Sequence, residues 1–468
     1  MFNRVMLVRP ALLTLIAACC ALAQDPNVSI TWIGQSCFNV AIPGVTTVVT
    51  DPPVASVGYT LPPLNADVVT ITHNHTDHNN SAGIGGKFTL VDGRPVTARQ
   101  EVTAAGLKFV MIPGFHDNSN GAVRGPNTMM VWTQGGIKFA HLGDLGQDQL
   151  TAAQLADLAG VDVLFIAAGG FFTVTPERAA GYVNELKPRV AILMHYKTAL
   201  GGPAQLAGLP ASAAPFSPLR YKPATVVVNR ATLPASTEVW AMQPVSDAAV
   251  ANAASFEAGA PVAPGSVVSI FGKFTASQTV GAATYPLPRK LGETEVLIDG
   301  KAAPLYYASP GQVNFQLPAA RAVGQGLAEV RVGGQPAGRA PVTVLANAAG
   351  IFGAVNQDGR VNSASAAARR GEVLHIFATG LGAASPAVED GAAAPSQPLA
   401  NGIVMPNVFL GGRQLAPLFN GLAPGLAGVW QIDVLIPADA STGPEIPLVV
   451  EHGTTSNTVT IAVVPAAQ

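Results

Sequence analysis

The sequence predicts an α/β domain followed by two all-β modules, and three observations support this. Up to about residue 244, apolar strand candidates alternate with capped helix candidates. Beyond about residue 248 the helical periodicity stops, and short apolar strands alternate with Gly, Pro and Asn turns. The second half also repeats itself, since "PGSVVSIFGKF" (264–274) parallels "RGEVLHIFATGLG" (370–382). Two copies of one β-sandwich module explain this repeat.

Length and composition narrow the class of protein. A chain of 468 residues is too long for one ordinary hydrophobic core. Charged residues make up 12% and the formal net charge is -2, so there is no basic cluster for a phosphate backbone and nucleic acid is not an expected partner. The predicted segments are a signal peptide at 1–23, the α/β domain at 24–245, and modules at 246–345 and 346–468.

The N-terminus has the pattern of an export signal. Two arginines precede an apolar run at Ala11–Ala23, and "ALAQ" offers small residues for cleavage after Ala23. The run is shorter than the roughly 20 residues that a membrane-spanning helix needs. We therefore expect a secreted or periplasmic protein, with a lipoprotein acylated at Cys19 or Cys20 as the alternative. Cleavage leaves Cys37, a predicted core residue, so we expect no internal disulfide.

Strand and helix signals follow one another through the first domain. "VSITWI" and "CFNVAI" predict two strands joined by a turn at 34–36. Thr151 with Gln154 forms a capping-box signature, and Thr175 before Pro176 caps a second helix. Further strands are predicted at "TTVVT", "ADVVTIT", "LKFVMI", "MMVWT", "IKFAHL", "VDVLFIA", "RVAILMH", "ATVVVNR" and "STEVWAM". The Ala-, Pro- and Gly-rich segment 246–263 is predicted to connect this domain to the modules.

Three of the eight histidines lie in "ITHNHTDHNN" (71–80), directly after a buried-type strand. Side chains two apart in an extended chain face the same way, so His73 and His75 converge on one side. Asp77 and His78 follow as the chain turns. Imidazole and carboxylate together are the ligands that Zn²⁺ and similar metals prefer, so this stretch predicts a metal site.

One loop does not surround two metals, and the remaining ligands are predicted at other strand ends. His116, Asp144 and His195 each follow an apolar strand closely. Ligands at strand ends converge on one edge of a sheet, a usual place for a site in an α/β protein.

Other polar residues receive different interpretations. His141, three residues before Asp144, suits a packed or supporting position better than a metal ligand. His375 and His452 lie in the repeats and are predicted to be structural. Lys197 and Thr198 follow His195, and substrate contact and loop capping stay open for both.

These motifs together resemble the metallo-β-lactamase superfamily, and within it the branch of ascorbate-6-phosphate lactonase-like metal-dependent hydrolases. "HNHTDH" matches the H-x-H-x-D-H motif, and "PGFHD" followed by "GAVRGPNT" is similar to the branch's third-histidine loop. "HLGDLG" matches its G-D turn, and "VAILMHYKT" resembles its final strand. The resemblance covers about residues 29–198. The second half resembles C-terminal modules of exported acidobacterial proteins.

The resemblance implies a metallo-β-lactamase-like αββα sandwich, followed here by two Ig-like sandwich modules. It places His73, His75 and His116 on one metal. It places Asp77, His78 and His195 on a second, with Asp144 bridging. One departure is the compact "NNSAGIGGKFTLVDG" (79–93), where many relatives insert a helix.

These assignments predict a secreted dinuclear hydrolase. Two divalent ions, zinc with manganese or iron as alternatives, would share a hydroxide that attacks a small ester, lactone or phosphodiester. Asp77 is the predicted catalytic residue, which orients that nucleophile or moves its proton. The alternative is a non-catalytic exported protein with a metal-stabilised scaffold, which contacts a cell surface or matrix through its modules.

Overall fold

The structure is a computed structural model that describes residues 25–274 and 279–466. The predicted signal peptide at 1–23 lies outside these residues. Across the described ranges, no helix has the length and apolarity that crossing a membrane requires.

The first domain contains two sheets and three short α-helices. In chain order its elements are β1 (Val28–Gly34), β2 (Cys37–Ile42), β3 (Thr46–Thr50), β4 (Val68–Ile71), β5 (Thr89–Asp92), β6 (Gln100–Ala104), β7 (Leu107–Phe115), β8 (Pro126–Gln134), β9 (Ile137–His141), α1 (Ala152–Leu158), β10 (Val163–Ala167), α2 (Pro176–Leu186), β11 (Val190–Met194), α3 (Leu209–Ala213), β12 (Leu219–Lys222), β13 (Thr225–Val228) and β14 (Glu238–Met242). The first sheet has the order β13-β1-β2-β3-β4-β5, and the second has the order β12-β14-β11-β10-β9-β8-β7-β6.

A single aromatic-rich core fills the space between the two sheets. Trp32 and Phe38 from the first sheet pack with Trp132, Phe139 and Phe165 from the second, and all five side chains are buried. The rings of Phe38 and Phe165 lie 4.3 Å apart across the interface. Alternation along β1, where the side chains at 28, 30 and 32 point inward, gives this sheet one core-facing side.

The outer faces of the two sheets are covered differently. Helix α2 packs against β10 of the second sheet, and its N-terminus is capped by the Thr175 hydroxyl, as the sequence predicts. A second apolar cluster, which includes Ile33, Cys37 and Val69, lies on the outer face of the first sheet under the segments around Leu61 and Phe88. The compact stretch 79–93 forms a 3-10 turn at Ser81–Gly83 in place of an α-helix. Loops therefore supply much of this outer layer.

The second half is all β. Its strands are β15 (Ala248–Asn252), β16 (Val267–Gly272), β17 (Val280–Gly281), β18 (Thr294–Ile298), β19 (Lys301–Ala302), β20 (Leu305–Ala308), β21 (Gln312–Gln316), β22 (Gly324–Val332), β23 (Gln335–Val344), β24 (Gly350–Asn356), β25 (Ala368–Arg369), β26 (Val373–Thr379), β27 (Ala384–Ser385), β28 (Asn401–Gly402), β29 (Asn407–Leu410), β30 (Arg413–Leu415), β31 (Pro417–Leu422), β32 (Trp430–Leu435), β33 (Gly443–His452), β34 (Thr454–Thr455) and β35 (Val459–Val464).

The two repeats share one topology. The first pairs a β15-β16-β21-β20-β17 sheet with a β19-β18-β22-β23 sheet. The second pairs β24-β26-β32-β31-β28-β27 with β25-β35-β33-β29-β30, so equivalent strands occupy equivalent places. Each copy has its own apolar cluster. This arrangement fits the predicted pair of β-sandwich modules.

One expectation is wrong. The segment 246–263 was predicted to connect the first domain to the modules, but it contains β15, which pairs with β16 at the edge of a sheet. Ala248 and Val250 point into the first repeat's core and are buried. Alanine gives only a weak apolar signal in a sequence, which explains why the alternation was not seen. The first module therefore begins within this segment.

Candidate metal centre

The predicted ligands meet where strands of both sheets end. His73–His78 follow β4 of the first sheet, while His116, Asp144 and His195 follow β7, β9 and β11 of the second. Strands β9, β10 and β11 are parallel, so their carboxyl ends lie on the same edge. The sequence signal of a ligand after an apolar strand therefore corresponds to one place in the fold.

The first ligand group consists of His73, His75 and His116. One nitrogen from each ring lies within 4.8 Å of the others. The ring centroid of His73 lies 4.7 Å from that of His75 and 4.7 Å from that of His116. His73 and His116 are buried, while His75 is exposed at the mouth of the site. Three imidazoles at this spacing could hold one metal ion together.

The second group consists of Asp77, His78, Asp144 and His195, again with one ligand atom from each within 4.8 Å of the others. Asp144 Oδ2 lies 3.0 Å from His195 Nε2 and 3.3 Å from His78 Nε2. The same oxygen lies 3.2 Å from His116 Nε2, in the first group. Asp144 therefore touches both groups, which is the position that a bridging carboxylate requires.

Several ligand atoms of the cluster lack hydrogen-bond partners within the described part of the protein, as atoms that coordinate a metal would. Nε2 of His73, Nε2 of His78 and Oδ1 of Asp144 are buried and have no hydrogen-bond partner in the described residues. Buried polar atoms are almost always satisfied, so unpaired atoms on three residues of one ligand cluster fit coordination to a metal ion. The imidazole and carboxylate set is suitable for zinc, manganese or iron.

In the metal-free cluster, protonated histidines balance the negative charge of the two carboxylates. Burial opposes ionisation of Asp77 and Asp144, but the neighbouring charges of His78 and His195 outweigh it and hold both carboxyl pKa values well below their usual range. Burial likewise opposes protonation of His195, yet the Asp144 carboxylate raises the pKa of His195 to about 9. For His73 burial wins, and its pKa is lowered. Two carboxylates thus attract positive charge to this site.

Two glycines allow the ligand loops to approach closely. A Cβ at Gly146 would lie 2.3 Å from the backbone oxygen of His116, and one at Gly169 would lie 2.1 Å from that of His195. Both distances are far below contact, so side chains at these positions would displace ligands. The glycines of "HLGDLG" and "AAGG" are therefore part of the site.

Asp51, which was missed as a site residue, positions His78. Its side chain accepts hydrogen bonds from Thr72 N at 2.8 Å and Thr72 Oγ1 at 2.6 Å, and it lies 2.9 Å from His78 Nδ1. With Nδ1 donating to this carboxylate, Nε2 of His78 is left free to face the ligand cluster. Asp51 directly follows the strand "TTVVT", so the signal used for the other ligands was present here too.

Gln35 and Asn127 are two further supporting residues that the sequence did not reveal. Gln35 Nε2 donates to Asp77 Oδ2 at 2.8 Å, and its backbone oxygen accepts from His195 N at 3.1 Å. Asn127 Oδ1 accepts from Asp144 N at 2.9 Å, which fixes the turn that presents this carboxylate.

The three residues with open or supporting roles lie behind the cluster. His141 is buried, with Nε2 at 2.9 Å from the Ser36 oxygen and Nδ1 accepting from Gly143 N. Lys197 Nζ donates to the Gly202 oxygen, and Thr198 pairs with the Tyr59 hydroxyl. These contacts hold loops, and none of the three side chains lines the cavity at the ligand cluster.

That cavity has a volume of about 700 Å³. Its floor contains ligands of both groups, and its walls include Val57, Val123, Arg124, Phe172 and Pro203. This volume is within the range of small-molecule sites.

Comparison with known proteins gives the family. The family model of the β-lactamase superfamily domain matches residues 29–195. A UPF0173 metal-dependent hydrolase of Methanoculleus marisnigri is 30% identical over 190 residues, which cover 36% of this chain and 81% of the relative. The chain belongs to the metallo-β-lactamase superfamily.

Two further proteins are also similar to this chain. A UPF0173 metal-dependent hydrolase of Nitratidesulfovibrio vulgaris is 31% identical over 198 residues, covering 36% of this chain and 80% of the relative. A solved superfamily structure from Thermotoga maritima is 30% identical, with a TM-score of 0.38, and covers 46% of this chain and 98% of its own. The relatives are named metal-dependent hydrolases, so the predicted enzyme class is confirmed.

Proposed function

We propose that this superfamily member is an exported dinuclear hydrolase of small esters, lactones or phosphodiesters. The observation that carries the proposal is the position of Asp144 Oδ2, within 3.8 Å of histidine nitrogens from both ligand groups. One oxygen shared by two complete ligand groups favours two ions over one. Zinc is the proposed metal, with manganese or iron as alternatives.

Each ligand group would hold one divalent ion. With both ions bound, the site would lower the pKa of a water toward neutrality and polarise the substrate oxygen. Asp77 is suited to orient that water and take its proton. Its side chain is 21% exposed to the cavity, while Gln35 fixes one of its oxygens from behind. His78 and His195 keep the Asp77 carboxylate ionised, so it is available as a hydrogen-bond acceptor for that water.

The finer parts of the proposal rest on sequence patterns. The pattern at 1–23 supports export to the periplasm or the medium. The motif order supports the lactonase-like branch and a small-molecule substrate, and the low content of charged residues supports a function without nucleic acid as a partner. The strand order of each module supports an Ig-like sandwich, which we propose contacts a cell surface or matrix.

Metal stoichiometry tests the proposal. Protein purified without chelators should contain close to two equivalents of metal by elemental analysis, and the metal-loaded protein should hydrolyse members of a lactone, ester and phosphodiester panel. Asp144→Ala should lose at least one equivalent and its hydrolysis. A single tightly bound equivalent that Asp144→Ala leaves unchanged would contradict the dinuclear assignment.

A further inference from the structure

One arginine lies in the wall of the cavity above the ligand cluster. Among the described residues that line this cavity, Arg124 is the sole lysine or arginine. The two acidic residues of the lining, Asp77 and Asp144, belong to the ligand groups and would face metal. The positive charge of Arg124 is therefore the remaining fixed charge available to a bound molecule.

Arg124 differs in its partners from three arginines of the domain that form ion pairs. Arg94, Arg99 and Arg178 each pair with a carboxylate at 3.0 Å or less. Arg124 donates instead to a backbone oxygen, that of Phe171, at 3.3 Å. In the described part of the chain no carboxylate pairs with it. A guanidinium has five donors, so most of its capacity is free for a ligand.

The loop that presents Arg124 is held rigidly. The Asp117 carboxylate accepts backbone hydrogen bonds from Ser119, Gly121, Val123 and Arg124 at 2.7 to 3.0 Å. All four bonds go to backbone N–H groups, so this carboxylate holds the loop backbone in place. The loop closes where His116 N donates to the Gly125 oxygen at 3.1 Å. Arg124 is thus fixed relative to a metal ligand.

The guanidinium also has a defined place relative to the second ligand group. Its carbon lies 5.8 Å from the ring centroid of Phe172, and that centroid lies 6.4 Å from the ring centroid of His195. One aromatic ring therefore separates the cation from a ligand. A small molecule of a few carbons bridges that gap along the apolar wall of Phe172 and Val123.

We propose that Arg124 is an anion subsite, so that the hydrolase prefers small substrates with a carboxylate or phosphate remote from the scissile bond. This inference rests on the proposed function. The planar fork of an arginine binds either anion through two parallel hydrogen bonds, which are stronger than neutral ones. Because the anion is remote from the reacting atoms, Arg124 should affect substrate binding more than turnover.

Binding of inert ligands tests the subsite without hydrolysis. Straight-chain dicarboxylates from glutarate to suberate are titrated into the metal-loaded protein, beside monocarboxylates of equal length. In the wild type at least one dicarboxylate should bind about tenfold or more tightly than its monocarboxylate, and Arg124→Gln should abolish the difference. Equal binding of the two series by the wild type, or an unchanged preference in Arg124→Gln, would overturn the proposal.

Hydrolysis identifies the anion. Aryl esters whose acyl chains end in a methyl, a carboxylate or a phosphate are compared in the wild type, Arg124→Gln and Arg124→Lys. Arg124→Gln should raise KM for an anionic ester roughly 10- to 100-fold with kcat nearly unchanged, and Arg124→Lys should recover part of this. KM for the aryl ester whose acyl chain ends in a methyl should not change in either variant. The better anionic ester distinguishes carboxylate from phosphate as the natural group.

Arg230→Gln is the matched control, because Arg230 also donates to one backbone oxygen, that of Gly136. It should change neither series. Equal losses on neutral and anionic esters in Arg124→Gln would overturn the subsite and leave the proposed function standing. Dicarboxylate preference that depends on Arg124, without hydrolysis of any ester, lactone or phosphodiester, would support the subsite and contradict the proposed function.

Discussion

The metal centre and the repeats both contain a histidine beside an aspartate, but only one of them is a candidate site. In the second repeat His375 Nδ1 lies 2.7 Å from Asp433 Oδ1, which also accepts from Gln431. In the first repeat, uncharged residues stand at the equivalent positions. Ser269 and Gln312 both donate to Asn314 Oδ1, as His375 and Gln431 do to Asp433 Oδ1. A pair that serine and asparagine replace in a sister module is a cross-strand contact that holds strands together.

Asp144 lies in a different environment from Asp433. Its Oδ2 lies near four histidines from three loops, whereas Asp433 has its partners on its own and the adjacent strand. The histidine nitrogens at the metal centre include buried atoms without a partner, while the His375 pair is hydrogen-bonded and partly exposed. Convergence of unpaired donors from several elements distinguishes a site from a structural pair.

The largest expected contrast comes from Asp77→Asn beside His375→Asn. Asparagine at 77 keeps the size of the side chain but cannot accept the proton of the attacking water, so kcat should fall roughly a hundredfold or more. His375→Asn should leave kcat unchanged, and the first ligand group should still bind metal in Asp77→Asn. Steady-state kinetics with metal analysis of both variants measures this. Equal losses of kcat in the two variants would mean that the site is misplaced.

A smaller effect is expected at Asp51. Asp51→Asn keeps the shape but weakens the acceptor that orients His78, so metal affinity should fall about 10- to 100-fold, the range for partners of metal ligands. Asp433→Asn removes a comparable acceptor from His375 and should not alter metal affinity. Competition with a chromophoric chelator measures both. If Asp51→Asn binds metal as the wild type does, the hydrogen bond to His78 has no role in metal binding.

The contrast between Asp77 and Asp51 also shows what the sequence could reveal. The seven predicted ligands follow apolar strands, and because strand ends share an edge of the fold, the structure brings all seven together. That they bind metal stays a prediction. Asp51 also follows an apolar strand, but its role depends on a side-chain contact with His78, and that of Gln35 on a contact with Asp77. Apolar alternation does not encode such side-chain contacts.

The same limit applies to the fold. Helix α2 was predicted at its observed bounds because a threonine cap, a proline and an apolar face coincide in sequence. Strand β15 and the edge strand β6, which is largely exposed, were not predicted. Alanines in β15 and polar residues in β6 have little strand propensity of their own. These strands form because they pair with β16 and β7, and such contacts are not visible in the local sequence.

Protons and metal should compete at the metal centre but not at the repeats. In the metal-free protein the pKa of His195 is raised to about 9, above the ordinary value of 6.5. This protonation stabilises the metal-free fold below pH 6.5, and the contribution is lost as the pH rises through about 9. Metal must displace that proton, so apparent affinity should rise between these values, up to about tenfold per pH unit for one proton. Calorimetry in buffers of different ionisation enthalpy measures proton release. Release of no protons at pH 7.5 would contradict this assignment.

Separation of the two regions should have the smallest effect on catalysis. Among the described residues, those that line the cavity at the ligand cluster all lie between Ser56 and Pro203. Val245 N, at the end of the first domain, donates to the Trp32 oxygen. Residues 24–245 should therefore fold, bind metal and keep kcat/KM within about twofold, since distant and independent parts of a protein contribute separately.

Residues 246–468 keep β15 with the sheet that it joins, and each module retains its own apolar cluster, so this half should fold without metal. The two halves do touch, since Gly259 of the first module lies against the backbone of Lys222. Their separation should therefore lower the melting temperature of the first domain while its kcat/KM stays within about twofold. Expression of both halves beside the full chain decides the matter. If residues 24–245 hold metal but lose hydrolysis, and the addition of residues 246–468 restores it, the modules belong to the active site and the two regions are not separate in function.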